Sequence, residues 1–468
     1  MSDLQGKTWL LQKMKQELGD LYADSLWKDI QSILTLYNVY DGPGQEWEIK
    51  EGLDYKPTRK VTNQIKHLIK EEARFMFSRA PEITIQPVGD DDKNKKKCAE
   101  LEDWLRRFLE DNGWQARLTK AGRDCFIGKR VALKITGGNG KPLKVRFVPS
   151  FGFYHSPDDD DADEIEKIIF CHHLVENSDP GKQRTWLQKY WMEGGKCYYS
   201  EGVYDGNGVL IESKADRVPT KLDALPAHVI INDGLTGDVL GESDVEEIKD
   251  DQDSYNHLKS DDLDALKFNM FPMKVIKNAS QETMDNVQVS PGSMIDFQTD
   301  PGAPQGAEAG VDTLEPKFSY DQRFEHAIDR IRHDMWSLLS TPELSIEHLK
   351  SLGISGKAMK ALYWPLICRC EEKWAVWDTA LKWMVRMLVK AAKAYGIADY
   401  TDALFTIGIE HLWPIPDDEE EERQNDMREV SAKVRSRRSY IEKWQPTVNA
   451  DDELEQIAKE ARMAEDGY

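Results

Sequence analysis

Basic residues are in short supply along this chain of 468 residues: 62 lysines and arginines face 84 aspartates and glutamates, a formal charge of −22. A protein that wraps or grips nucleic acid needs the opposite balance, because phosphate contacts are made by Lys and Arg. An acidic surface repels a duplex, which helps only where DNA must pass without sticking. Cysteine is scarce too, at positions 98, 125, 171, 197, 368 and 370, with no C-x-x-C pair. That spacing offers no disulfide framework or zinc ribbon and suits reduced thiols in a cytosolic compartment. No apolar run approaches the roughly 20 residues of a membrane span. The opening "MSDLQGKTWLLQKMKQELGD" lacks the charged n-region and unbroken apolar core of a secretory signal, so a soluble protein without a membrane partner is expected.

Motifs for chemistry are equally thin. "GISGKA" (353–358) has part of a phosphate-binding loop, but Ser351 stands where its first Gly belongs and Ala358 where its hydroxyl belongs. Cys171, His172 and His173 read as one strand, whose neighbouring side chains point to opposite faces and cannot converge on a metal. His326 and His333 lack helical zinc spacing, and Cys368 and Cys370 face different ways on a helix and read as packing residues. The run Asp158 to Asp161, with Asp163 and Glu164, is the best cation candidate, yet it lacks the Gly and bidentate acid of a calcium loop and reads as a solvated loop. No catalytic residue, cofactor or metal site is assigned.

What the chain does have is ample hydrophobic material, 40% of residues with 14 Trp, enough for two to four packed units. The first 130 residues read as helices, with turns at Asp41-Gly42 and Asn112-Gly113 and a strand through Ile83 and Ile85. From about 130 to 230 the period changes to two: "KRVALKIT", "KVRFVPS", "EIEKIIFCHHLVE", "TWLQKYWME", "KCYYSEGVY" and "GVLIES" are strands, with "YDGNGV" a hairpin turn.

Residues 241 to 271 are expected to form one helix, with Ser243 as N-cap and Glu246 at capping-box spacing. Between 241 and 266 it carries ten acidic and two basic residues over a thin stripe of Val245, Ile248, Tyr255, Leu258 and Leu266. Such a helix needs neighbours on its flanks and tolerates water on a broad face. Next come strand-like "MKVIKN", a short helix "SQETMDNV", strand-like "SMIDFQT" and loose "DPGAPQGAEAGVD", then an amphipathic helix "DQRFEHAIDRIRHDMWSLLS" ended by Ser340-Thr341-Pro342. After a Gly- and Ser-punctuated hinge, a helical pattern runs from Gly356 to Tyr395, about 60 Å at 1.5 Å per residue. Trp364, Trp374, Trp377 and Trp383 pack it, and Pro365 predicts a kink. "ALFTIGIEHLWPIP" reads as one strand, "DDEEEERQNDMREVSAKVRSRRSYIEKW" as one charged helix, and "DDELEQIAKEARMAE" as another.

In this order the pieces resemble the portal proteins of tailed bacteriophages, in particular those of long-tailed phages of Gram-positive hosts. The residues that carry the likeness are "GESDVEEIKDDQDSYNHLKSD" (241–261), "GISGKAMKALYWPL" (353–366), "SRRSYIEKWQPTVNADDELEQIAKE" (436–460) and "NQIKHLIKEEARFMFSRAPEITIQP" (63–87). The resemblance implies an α+β, mostly helical portal fold. Residues 1–240 would form the wing, 241–271 a first stem helix, 272–319 the clip and 320–340 a second stem helix. Residues 341–356 would be a tunnel loop, 357–412 the kinked wing helix with its strand, and 413–468 the crown. It implies a ring of twelve at the capsid vertex, a channel for double-stranded DNA during packaging and ejection. Terminase, head-completion or tail connector proteins, and major capsid and scaffolding proteins would be its partners. The location would be the virion, with the host cytoplasm during assembly.

On that anatomy, Glu246, Glu247, Asp250, Asp251 and Asp253 are expected on the stem's acidic wall, facing the channel or the outside. Lys350, Lys357 and Lys360 are the basic groups expected to touch DNA transiently. The competing expectation is a metal-dependent phage nuclease using Asp158–Glu164. A terminase large subunit fits worse, for want of a phosphate loop.

Overall fold

The computed structural model describes residues 8–466 apart from 48–54, 139, 159, 162–163, 176–178, 271–272, 282–297, 303, 305, 315–320, 344–355, 416–418 and 446–448. Helices α1 (Thr8–Leu18), α2 (Asp20–Asp41) and α3 (Gln64–Phe77) open the chain. Strand β1 (Glu82–Pro87) and helices α4 (Asp92–Asp111) and α5 (Trp114–Gly128) follow. The turns fall where the sequence places them: Gly42 caps α2 at φ 103° and Gly113 opens α5 at φ 61°, conformations that cost glycine little.

The β-rich part holds two sheets. In one, β2 (Arg130–Gly138) lies between β3 (Lys141–Pro149) and β9 (Ala227–Ile231); the other runs in the order β4 (Phe153–Pro157), β5 (Ile165–Val175), β6 (Arg184–Glu193), β7 (Lys196–Tyr204) and β8 (Leu210–Pro219). All pairings are antiparallel, and the Asp205–Gly208 turn between β7 and β8 is closed by Asp205 accepting the Asn207 and Val209 N–H groups at 2.9 Å each. Two strands, β4 and β9, are not foreseen by alternation. Both are five residues long, and most of their side chains are buried on both faces, so polar residues do not mark a solvent side.

The second half departs from expectation in several places. The acidic segment is not one helix from 241: α6 (Asp244–Glu247) is separated from α7 (Lys249–Met270) at Ile248, whose φ of −117° leaves the helical range. Strands β10 (Met273–Lys277) and β11 (Gly310–Leu314) pair, so the end of the stretch read as loose is a strand. Most of the expected "SQETMDNV" helix and of the "SMIDFQT" strand lies outside the described residues. Helix α8 (Asp321–Leu338) follows and ends with Ser340 at φ 52°, just before Pro342.

The 40-residue helix is two. Helix α9 (Gly356–Leu362) stops at Tyr363 and α10 (Trp364–Ala394) restarts with Pro365 in its first turn. Proline lacks an N–H, which the first turn of a helix does not use, so it starts a helix here instead of kinking one. Strand β12 (Phe405–Glu410) occupies only the middle of "ALFTIGIEHLWPIP" and pairs with β1. The charged C-terminal helix is likewise two, α11 (Glu419–Ser431) and α12 (Arg437–Trp444), parted at Lys433 with φ 64°; α13 (Ala450–Asp466) is the last.

Helix α10 is the spine of the main core. Leu366, Ile367, Cys370, Trp374, Trp377, Leu381, Met384, Val385 and Leu388 recur at three- and four-residue steps and are all buried. Phe77 of α3 sits between Trp374 and Trp377, with ring centroids 5.1 and 4.8 Å away. Gly122 of α5 lets that ring in, since a Cβ there would fall 2.2 Å from it. Trp383 stacks on His228, but Trp364 is no packing residue among the described residues: it is 60% exposed at the start of α10. A second core joins α1 and α2 to the five-stranded sheet through Leu10, Met14, Leu26, Ile30, Tyr154 and Ile169.

Candidate functional site

The acidic segment enters its helix through a locked turn. Gly241, at φ 75°, passes so close to β2 and β9 that a Cβ would meet the Lys129 carbonyl oxygen at 2.6 Å. Ser243 Oγ then accepts the Val245 N–H at 3.2 Å and donates to the Ile127 carbonyl at 2.8 Å. It is the N-cap foreseen. Glu246 does not complete a capping box, because its carboxylate turns to Lys129 at 3.3 Å.

Two buried charge clusters fix this entry. In the first, Asp29 holds Arg130 at 2.7 Å and Lys129 at 3.3 Å, while Arg130 also donates to the Leu240 carbonyl at 2.7 Å. In the second, Asp244 of α6 and Glu72 of α3 share Arg369 and Lys373 of α10. Arg369 reaches Glu72 and Asp244 at 3.0 Å each and Glu247 at 3.3 Å. Lys373 reaches Glu72 at 2.7 Å and Asp244 at 2.5 Å, with its ammonium 3.8 Å from the Phe126 ring centroid. Burial penalises every charge here. For Lys373 the two carboxylates overcome that penalty and raise its pKa; for Asp244 the two cations overcome it and lower its pKa; for Glu72 burial prevails and its pKa is raised. Helices α3, α6 and α10 are thereby tied at one point.

Beyond Ile248, α7 is held by a polar ladder. Gln252 accepts the Gln64 and Ile65 N–H groups at 2.7 and 3.1 Å and donates to the Thr62 carbonyl at 3.0 Å. Asn256 accepts the Thr62 N–H at 2.9 Å, Ser260 the Lys60 N–H at 3.1 Å, and Asp264 the Thr58 N–H at 2.8 Å. All four side chains are buried. Every fourth residue of the helix meets every second residue of a strap that precedes α3, as extended backbone requires. The first rung also caps α3, together with Asn63, which accepts the Lys66 N–H at 2.7 Å. One flank of α7 therefore has a partner within its own chain, which its thin apolar stripe did not reveal. Another is α8, which packs along it and buries Ile328 and Met335.

The acidic residues singled out from sequence take different places. Glu246 and Glu247 are exposed but paired to Lys129 and Arg369. Asp250 is exposed. Asp251 is half-buried, and burial together with Asp334 and Asp250 raises its pKa; Asp253 is half-buried too, with its pKa raised by burial against the pull of Lys249. Lys360 is exposed on α9, three residues after Lys357 on the same helix; Lys350 lies outside the described residues. Glu72, Arg369, Lys373, Gln252, Asn256 and Ser260 are not found by sequence reasoning. The four-residue spacing of Gln252, Asn256, Ser260 and Asp264 is the one signal that marks any of them.

Of the other candidates, Asp158, Asp160, Asp161 and Glu164 are exposed on the turn between β4 and β5; Asp159 and Asp163 lie outside the described residues. Among the described residues no group of three or more His, Cys, Asp or Glu is placed to hold a metal ion, and no helix is long and apolar enough to cross a membrane. No disulfide joins any of the six cysteines; Cys370 is buried and Cys368 partly so.

Comparison with known proteins gives three findings. The family model described as "Phage portal protein, SPP1 Gp6-like" matches residues 20–467. No curated protein matches the chain. Ninety chains of solved structures match, among them one titled "Virion of native gene transfer agent (GTA) particle", which is 14% identical, with 81% of this chain and 87% of that one covered and a TM-score of 0.41. Because the family model takes in α2 through α13, both charge clusters and the whole ladder, the chain belongs to the phage portal protein family of the SPP1 Gp6-like type.

Proposed function

We propose that this portal protein closes a ring, of twelve copies by family resemblance, whose axial channel passes double-stranded DNA at the capsid vertex. Residues 241–271, with α7, and 320–340, with α8, form the stem around the channel, residues 272–319 the clip, 341–356 the tunnel loop and 413–468 the crown. The remainder is the wing. The observation that carries this reading is the one-sidedness of α7. The strap and α8 take two of its sides, while Asp250, Ser254 and Asp261 stay exposed. A duplex carries one negative charge per about 1.7 Å of axis, so a carboxylate wall leaves it mobile where a basic one would hold it. The clip serves as the platform for terminase during packaging and for head-completion or tail proteins afterwards. The role is structural, without active-site chemistry.

Negative-stain imaging and sedimentation of the purified protein are expected to show rings with an axial opening. A compact monomer would end this reading, and magnesium-dependent cleavage of DNA would replace the structural role by a nuclease. For the basic groups, a Lys350→Ala, Lys357→Ala double variant is expected to package or retain less DNA than the native protein. Unchanged packaging and retention would remove Lys350 and Lys357 from the channel.

A further inference from the structure

The ring needs one face of each copy to fit a different face of the next, and charge singles out a pair of such faces. A cleft of about 790 Å³ lies between the far end of the β2–β3 hairpin, strands β6 and β7, and Tyr395 after α10. Its charged lining is Lys134, Lys141, Arg146 and Lys221 against Glu201 alone. In a chain of net charge −22 that is a local reversal of sign. Lys141, Arg146 and Lys221 are exposed and make no ion pair with the described residues. Lys134 is 4% exposed, donates to Gln188 Oε1 at 2.5 Å, and lies 3.8 Å from the Phe170 ring centroid. Among the described residues no carboxylate bonds it, because Glu201 is committed to the Trp186 indole N–H at 2.9 Å and to the Gln188 amide at 3.1 Å. The cleft gathers a buried amine and three exposed cations, and Glu201 is the one carboxylate among its described lining residues.

The matching group is the acidic turn the function leaves unused. Asp158, Asp160, Asp161 and Glu164 project from the β4–β5 end of the five-stranded sheet, all exposed. The turn is held by the Asp158 N–H on the Glu164 carbonyl at 2.9 Å, the Glu164 N–H on the Asp161 carbonyl at 3.1 Å, and Asp158 Oδ1 accepting the Asp160 N–H at 2.9 Å. The strand order β4-β5-β6-β7-β8 puts this tip at the β4 edge of the sheet, while the cleft is lined by the middle strands β6 and β7. A contact between two different patches is head-to-tail, and it propagates around a ring instead of stopping at a pair.

We infer that the β4–β5 turn of one copy docks in the basic cleft of the next, a carboxylate-to-ammonium contact that sets the direction of the ring. The inference rests on the ring reading above. Reversing the tip (Asp158→Lys, Asp160→Lys, Asp161→Lys) or the cleft (Lys141→Glu, Arg146→Glu, Lys221→Glu) touches only exposed side chains. Each set is expected to raise the protein concentration for half-assembly, read by sedimentation velocity at low salt, about tenfold, and the two sets combined to restore it. An Asp160→Cys, Lys141→Cys variant is expected to give a ladder of covalent oligomers on non-reducing gels that neither single cysteine gives. Native rings whose assembly neither reversal changes, or a combined variant no better than its parents, would overturn the docking and leave the cleft to an acidic partner from outside the ring. Native protein that forms no ring would overturn the ring reading itself, and this contact with it.

Discussion

Glu72 keeps one carboxylate oxygen, Oε2, buried without a hydrogen-bond donor while the other is shared by Lys373 and Arg369. A site so dependent on its cations tolerates their loss poorly. Lys373→Met is expected to cost about 3–5 kcal/mol in denaturant unfolding, since it leaves Glu72 and Asp244 short of a counter-charge in a dry interior. A second residue sets the acid limit. His155 is buried beside Arg130, and burial first, then that guanidinium, lower its pKa to about 3; burial takes His228 to about 4. The folded-state values lie below that of the unfolded chain, near 6.5, so the unfolded chain binds the protons first and stability falls as pH drops through 6.5. Each histidine contributes a slope of about 1.4 kcal/mol per pH unit in that window. Unfolding titrations at pH 7.5 and 5.0 are expected to show a loss that His155→Asn reduces by roughly 2 kcal/mol. None of these roles is legible in the sequence. Glu72 and Lys373 meet across 301 positions, and nothing local to either says that a charge is buried.

At the scale of the element, legibility tracked the hydrophobic period. Where a helix or strand has one wet face the reading located it: α2, α4, α5, α8 and β5 to β7 lie where periodicity puts them. It failed where polar groups replace apolar ones in the interior. Helix α7 buries Gln252, Asn256, Ser260 and Asp264 against backbone, so its pattern reads as water-exposed although a flank is covered. Asn256→Ala is expected to destabilise the protein by about 1–3 kcal/mol, the cost of leaving buried polar groups unsatisfied. It is also expected to speed amide exchange at Thr62, the group it releases. Equal exchange rates would mean that the rung bears no load. Proline misled for a related reason. Pro365 is a helix breaker in an interior and a helix starter in a first turn, and only the chain direction at Tyr363 decides which.

For the whole molecule, the order of parts was the most readable property and the contacts between parts the least. An acidic helix, a small strand-helix-strand insertion, a returning helix and a long Trp-bearing helix can be read in sequence order, and that order carried the resemblance to portal proteins. The C-terminal helices α11 to α13 contact mainly each other, with Asp426 gathering Arg435, Lys443 and Trp444 at 2.5 to 2.9 Å. Removing residues 417–468 is expected to leave the main calorimetric transition within a few degrees, since neither core draws on the described residues among them. A collapse of that transition would mean that these C-terminal helices support the fold. The ladder has a further consequence for how the molecule can move. Four residues of helix advance about 6.0 Å and two of extended chain about 6.6 Å, so the two scales slide past alignment by roughly 0.6 Å at each rung. Like a vernier, they coincide over a short run and then part company, which limits how far such a ladder extends beyond its four rungs. Slippage can occur only in jumps of a full rung, so α7 and the strap must travel together under load.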